Sequence, residues 1–243
     1  MSNPVFSQRA MEGNERALSS EPMTVNGAIN KTFVLFLCLL ATSFYEYSLF
    51  LQGFTDKAMG LMMIGFVASI VAFIVIMFAR KTIKFMAPVY ALSEGLVLGG
   101  LSVAFEQSYP GIVVQAVCAS FMAFFVMLVL YRAGIIKCTE KFRSVLMISM
   151  FSILGIYLVQ IIGSFFHLSI PGLFGSGLVG IAFSAVVCII AALNFIIDFS
   201  TIEMGVQNMI DKSFEWYCGF GLMVTFVWLY VEILNLLAKL RDN

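Results

Sequence analysis

Residues 144 to 197 run for 54 positions without a single Asp, Glu, Lys or Arg. As one helix rising 1.5 Å per residue this stretch would be about 80 Å long, more than twice the ~30 Å hydrocarbon core of a bilayer. It has to be folded back on itself. The segment HLSIPGLFGSG supplies the break, with Pro171, Gly172, Gly175 and Gly177 interrupting helical hydrogen bonding and adding backbone freedom. Two consecutive apolar spans of this kind belong in lipid, and the whole chain agrees. It is 61% hydrophobic and 12% charged with a mean hydropathy of +0.99, against roughly 25% charge in soluble domains. A transmembrane β-barrel is excluded, because its strands alternate apolar with polar residues and these runs are apolar on every face.

The same criterion applied along the chain predicts an all-α membrane protein with a bundle of seven transmembrane helices, over residues 32–51, 58–79, 86–105, 111–131, 144–166, 176–202 and 217–239. Residues 1–30, rich in Ser, Asn, Glu and Arg, read as a polar and flexible tail without a signal peptide, and residues 31–243 as the membrane domain. The tail and the second, fourth and sixth loops hold 11 Lys and Arg residues, and the opposite side holds only Lys57, Lys239 and Arg241. Cytoplasmic loops collect such residues, which places the N-terminus in the cytoplasm and the C-terminus outside. Fourteen basic and 14 acidic residues leave no net charge, so nothing marks a nucleic-acid footprint.

Ionisable residues inside a membrane usually face a cavity or a partner and mark a pathway or relay. Four acids fall in or beside the spans. Glu46, in SFYEYSLF, reads as reaching the headgroups from the outer end of the first span. Glu94, in PVYALSEGLVLGG, lies too deep for that and reads as inward-facing. Beside it Gly95 and Gly99 form a G-x-x-x-G step that admits a close helix neighbour. Asp198 closes the sixth run in NFIIDFSTIE, and the last span must take in Glu232, because the 16 residues between Glu215 and Glu232 are too few to cross. If adjacent spans pack antiparallel, the Asp198 and Glu232 carboxyls face each other and share a proton, unless a cation bridges them or Arg80 answers the charge. Counting from the helix ends sets their depths one or two turns apart, so contact requires tilt or a late-starting seventh helix. The alternative is that both acids only hydrogen-bond neighbouring groups.

These segments carry a resemblance. IIDFSTIE, WLYVEILNLLAKL, PVYALSEGLVLGG and the early NPVF are similar to the Bax inhibitor motif (TMBIM) superfamily, in particular its bacterial branch. The resemblance covers most of residues 31 to 241. It implies seven spans around a buried acid pair that gates a pH-sensitive calcium leak, with the pair on Asp198 and Glu232 and a latching arginine at Arg80 in IMFAR. Two departures stand out: Glu232 replaces the usual Asp, and the loop containing VQNMIDKSFEWY is longer.

The leading reading is therefore a proton-regulated cation leak or exchanger in a bacterial inner membrane. Asp198 and Glu232 would be a transient Ca2+ site, since calcium takes six to eight oxygen ligands. Glu94 and Arg80 complete the expected pathway. The alternative is a membrane-embedded regulator that binds other membrane proteins without transport. No serine-hydrolase, zinc-protease or paired-aspartate motif points to an enzyme, and no cofactor is implied. Five dispersed cysteines, Cys38, Cys118, Cys138, Cys188 and Cys218, read as packing residues, and His167, the lone histidine, as interfacial.

Overall fold

The computed structural model describes residues 21–166 and 172–243; the expectations for His167 and Pro171, and for most of the tail, lie outside the described residues. Seven helices are long and apolar enough to cross a membrane. They are α1 (Val25–Leu51), α2 (Thr55–Phe78), α3 (Ile83–Ser108), α4 (Ile112–Arg132), α5 (Glu140–Phe165), α6 (Leu178–Gln207) and α7 (Phe214–Arg241). The chain is an all-α, seven-helix integral membrane bundle. We call the end that holds Thr24 the near end and the opposite one the far end.

The helix starts follow local chemistry. Thr24 and Thr139 stand extended before α1 and α5, and their hydroxyls accept from Gly27 N at 2.9 Å and Phe142 N at 3.2 Å. Each thereby satisfies one of the free amides that open a helix. Before α4 the cap comes from further away: the Glu106 carboxylate accepts from Gly111 N at 2.6 Å and Val113 N at 3.1 Å. The first helix begins at Val25 instead of near residue 32, and residues 21–24 lead into it as an extended segment. A polar face does not stop a helix whose other side has a partner, and Ala28 and Leu35 are already fully buried there.

The last helix is the axis of the bundle. It packs on α1, α3, α4 and α6, while α3 lies against α1 and α2, and the backbone of α5 lies close to α6 alone. Burial follows the same order: α7 is buried from Glu215 to Ala238, whereas α5 buries only Leu146 and Ile153. Phe226 anchors the interior, edge-on to Phe36 of α1 at 5.0 Å between ring centroids and tilted against Phe121 of α4 at 4.9 Å. On the opposite seam the G-x-x-x-G step does what its spacing implies. A methyl group on Gly95 would collide with Thr42 Oγ1 and the Leu39 carbonyl, and one on Gly99 would sit 2.6 Å from both Glu46 Cβ and Ser43 O. Two glycines thus let α1 and α3 meet backbone to backbone.

Candidate functional site

The α6–α7 seam holds most of the buried polar chemistry. Its register can be read from its contacts. Lys239 of α7 donates to Gly180 O at 3.2 Å and Ser184 Oγ at 2.8 Å on α6. One step nearer the middle, the Cys188 thiol lies in the field of Glu232. Deeper toward the near end, Asp198 lies opposite Thr225, whose hydroxyl donates to its carboxyl, and beside Gly221. Antiparallel packing makes each step toward the N-terminus of α6 a step toward the C-terminus of α7.

That register corrects the expected acid pair. Glu232 is 3% exposed, and its Oε1 accepts from Tyr157 Oη of α5 at 2.8 Å and from Trp228 Nε1 at 3.1 Å. Asp198 answers to Thr225, seven positions before Glu232 on α7, and Cys188 is ten positions before Asp198 on α6. The carboxyls are therefore staggered by about 10–15 Å along the seam at 1.5 Å per residue. One cation cannot touch both, and one proton cannot be shared, in this conformation. The cause is the turn from Asn208 to Ser213, which lets α7 start at Phe214 and sets Cys218 to Thr225 beside Asp198. An early start deepens the offset that a late start would have removed.

The other expected residues scatter. Arg80 stands exposed on the 3₁₀ turn Arg80–Thr82 at the near rim, and the ion pair among the described residues is Lys212 with Glu21, so Arg80 latches neither acid here. Glu94 lies beside the hydroxyls of Ser69 and Tyr90 in a cleft of about 280 Å³ between α2 and α3, and the Tyr90 ring packs on Phe220 of α7 at 5.1 Å. Glu46 does not reach the headgroups. It is fully buried, both of its oxygens lack a hydrogen-bond partner, and its Cβ lies against Gly99. The close approach that the two glycines permit is what closes α3 over it.

Sequence reasoning missed several groups on the seam: Thr225, Trp228, Tyr157, Lys239, and Glu215 at the near end. A signal was present for part of the set, because Cys218, Thr225, Glu232 and Lys239 recur every seven residues and so share one face of α7. Tyr157 carries no such mark. Among the described residues, every buried side-chain oxygen without a partner belongs to an acid: Glu46 Oε1 and Oε2, Asp198 Oδ2 and Glu215 Oε2. Leaving such an oxygen unbonded costs free energy, which singles these positions out from ordinary packing. No group of three or more His, Cys, Asp or Glu side chains is gathered among the described residues.

A central, C-terminal helix with an acid in WLYVEILNLL, packed on a sixth helix that ends in IIDFSTIE, is the arrangement the resemblance implied. A family model described as Bax inhibitor 1 like matches residues 3–242. The chain belongs to the Bax inhibitor 1 like family. No curated protein matches it, and no solved structure does. Within this Bax inhibitor 1 like protein the two acids that carry the resemblance thus both face one seam at different depths, Glu232 buried whole and Asp198 with its Oδ2 buried.

Proposed function

We propose that this protein is a proton-regulated cation leak of a bacterial inner membrane, with its N-terminus in the cytoplasm and the α6–α7 seam as its path. Asp198 and Glu232 act as two successive carboxylate stations along it. The observation that carries the reading is Asp198 Oδ2, buried at membrane depth without a hydrogen-bond partner. An acid left in that state inside a bilayer has a functional explanation by default. A hard cation such as Ca2+ passing the stations would take oxygens from one carboxylate at a time, completed by Thr225, backbone carbonyls and water. Protonation neutralises a station and removes its attraction for the cation, which couples flux to pH. Leu229, 1% exposed, shares the helix face between Thr225 and Glu232 and fills the level that separates them. The seam as it stands is shut, and conduction requires α7 to move against α6. The proposed activity is conduction, without turnover of a substrate and without a bound cofactor.

The test is Ca2+ flux into liposomes holding the purified protein, across about pH 5 to 8. Staggered stations predict that Asp198→Asn and Glu232→Gln each lower flux, and that each leaves the other acid's pH response in place. A shared-proton pair predicts that either variant erases the whole response. Wild-type protein without flux would overturn the proposal and favour a regulator that acts by binding other membrane proteins.

A further inference from the structure

Residues 21–24 are extended, and the local sequence explains why. Pro22 cannot donate a backbone hydrogen bond, and Thr24 sits at φ −127° and ψ 155° as the cap of α1. The segment crosses the near end and pairs with the α6–α7 turn. Met23 N donates to Ile210 O at 2.8 Å, Lys212 N donates to Glu21 O at 3.0 Å, and Pro22 bridges Asp211 in antiparallel fashion. The Glu21 carboxylate pairs with the Lys212 ammonium at the solvent edge. Beneath the strap the Met23 side chain is 2% exposed, its sulfur pressed to Gly205 and near the Phe214 ring.

What the strap covers is an acid. Glu215, in the first turn of α7, is 1% exposed. Its Oε1 accepts from Thr24 N at 3.0 Å and from Thr24 Oγ1 at 3.3 Å, both on the strap. Its Oε2 is buried with no partner, and the carboxyl occupies the space that a side chain at Gly27 would need. One turn further along α7, the Cys218 thiol lies in the fields of both Glu215 and Asp198. Glu215, Cys218 and Asp198 therefore form a series leading from the near surface into the seam.

We propose that residues 21–24 are a lid on the near mouth of the α6–α7 seam. Closed, the lid buries Glu215 and bars water from the approach to Asp198; lifted, it exposes Glu215 as the first carboxylate a cation meets. The balance of interactions makes it reversible. Rim hydrogen bonds and a surface ion pair are exchanged for water at small cost, whereas Oε2 gains the hydration it lacks when the lid lifts. Sub-global openings of this kind draw on segments with few buried apolar contacts, and here a single methionine provides most of them. The importance of the lid for flux rests on the conduction proposed above, but its existence does not.

The deciding experiment reads accessibility. In full-length protein reconstituted in liposomes, with Cys38, Cys118, Cys138 and Cys188 replaced by Ala, the labelling rate of Cys218 by a charged, membrane-impermeant thiol reagent is measured with the native strap and with Glu21→Lys or Met23→Ser. A parallel protein keeps Cys188 alone, in the far half of the same seam. The lid predicts labelling of Cys218 at least about tenfold faster in the strap variants, as a ~1.4 kcal/mol loss of closure produces, with Cys188 unchanged. Equal Cys218 rates would overturn it, and so would an equal rise at Cys188, which would mean a loosened bundle. Ca2+ flux on the same vesicles separates the two ideas: faster labelling in a protein without flux sinks the conduction reading and leaves the lid standing.

Discussion

Substituting Gly99 by Ala tests the seam that buries Glu46. The added methyl would lie 2.6 Å from Glu46 Cβ and 2.6 Å from Ser43 O, where unstrained non-bonded carbon atoms sit about 3.5–4.0 Å apart. A backbone carbonyl cannot rotate away, so α1 must withdraw from α3 by roughly 1 Å. A gap of that size forfeits a quarter to a half of each dispersion contact along the seam. Overpacking of this kind costs about 1–3 kcal/mol, offset by up to ~1 kcal/mol of helix propensity gained when Gly becomes Ala. With a backbone carbonyl in the way the cost lies near the middle of that range, about 2 kcal/mol, so the net loss is about 1–2 kcal/mol, or roughly 2–8 °C in Tm for a chain of this length. Gly155, inside α5, is the control, because a methyl there meets nothing within 4 Å. Gly155→Ala should leave Tm unchanged or raise it by a few degrees, from propensity alone. The assay is thermal unfolding in detergent, in protein whose other four cysteines are replaced by Ala, followed by a thiol-reactive dye that then reports the buried Cys218. A Gly99→Ala protein as stable as wild type, or one that shifts in the same direction as Gly155→Ala, would refute the backbone-to-backbone account.

A double-mutant cycle of Tyr157→Phe and Glu232→Gln should give a coupling of about 0.6–1.7 kcal/mol, the range for side-chain hydrogen bonds within membranes, and strict additivity would remove α5 from the site. The strap predicts a pH dependence at both extremes. Lys212 holds the Glu21 carboxyl below its usual range, so its contribution to closure is present above the ordinary carboxylate pKa and lost as pH falls through the lowered value. Glu21 in turn holds the Lys212 ammonium above its usual range, a contribution present below the ordinary lysine pKa and lost as pH rises through the raised one. Cys218 labelling, taken at each pH as a ratio to the Met23→Ser protein so that the thiolate's own pH dependence cancels, should therefore be flat around neutrality and rise at both ends, with the acid limb absent in Glu21→Gln.

The helices were legible because lipid demands long charge-free runs, and a single interruption at HLSIPGLFGSG divides the longest of them. Their ends were less so. The first helix continues back to Val25 through Asn26, Asn30 and Lys31, since a helix may be polar on one side while Ala28 and Leu35 pack on the other. The acids divide in the same way. That Asp198 and Glu232 lie at membrane depth follows from run length alone, but which residue each one faces depends on the register between α6 and α7. A turn of a few residues sets that register, and hydropathy does not read it. Glu46 shows the converse: its distance along α1 placed it near the headgroups, and only the approach of Gly99 from another helix buries it. Arg80 sits just after α2 as its sequence position indicates, exposed on a rim turn where it pairs with neither carboxyl.

The helix that touches α1, α3, α4 and α6 is also the last of the seven to leave the ribosome. Until α7 inserts, Phe36, Phe121 and Phe195 lack the ring that joins them, Asp198 has no Thr225, and the strap has no Glu215 to cover. The four helices α1, α3, α4 and α6 surround the place that α7 fills, and Asp198 faces it. The packing around Phe226 and the cover over Glu215 thus both wait for the last helix in the sequence, so the bundle closes only when α7 is in place.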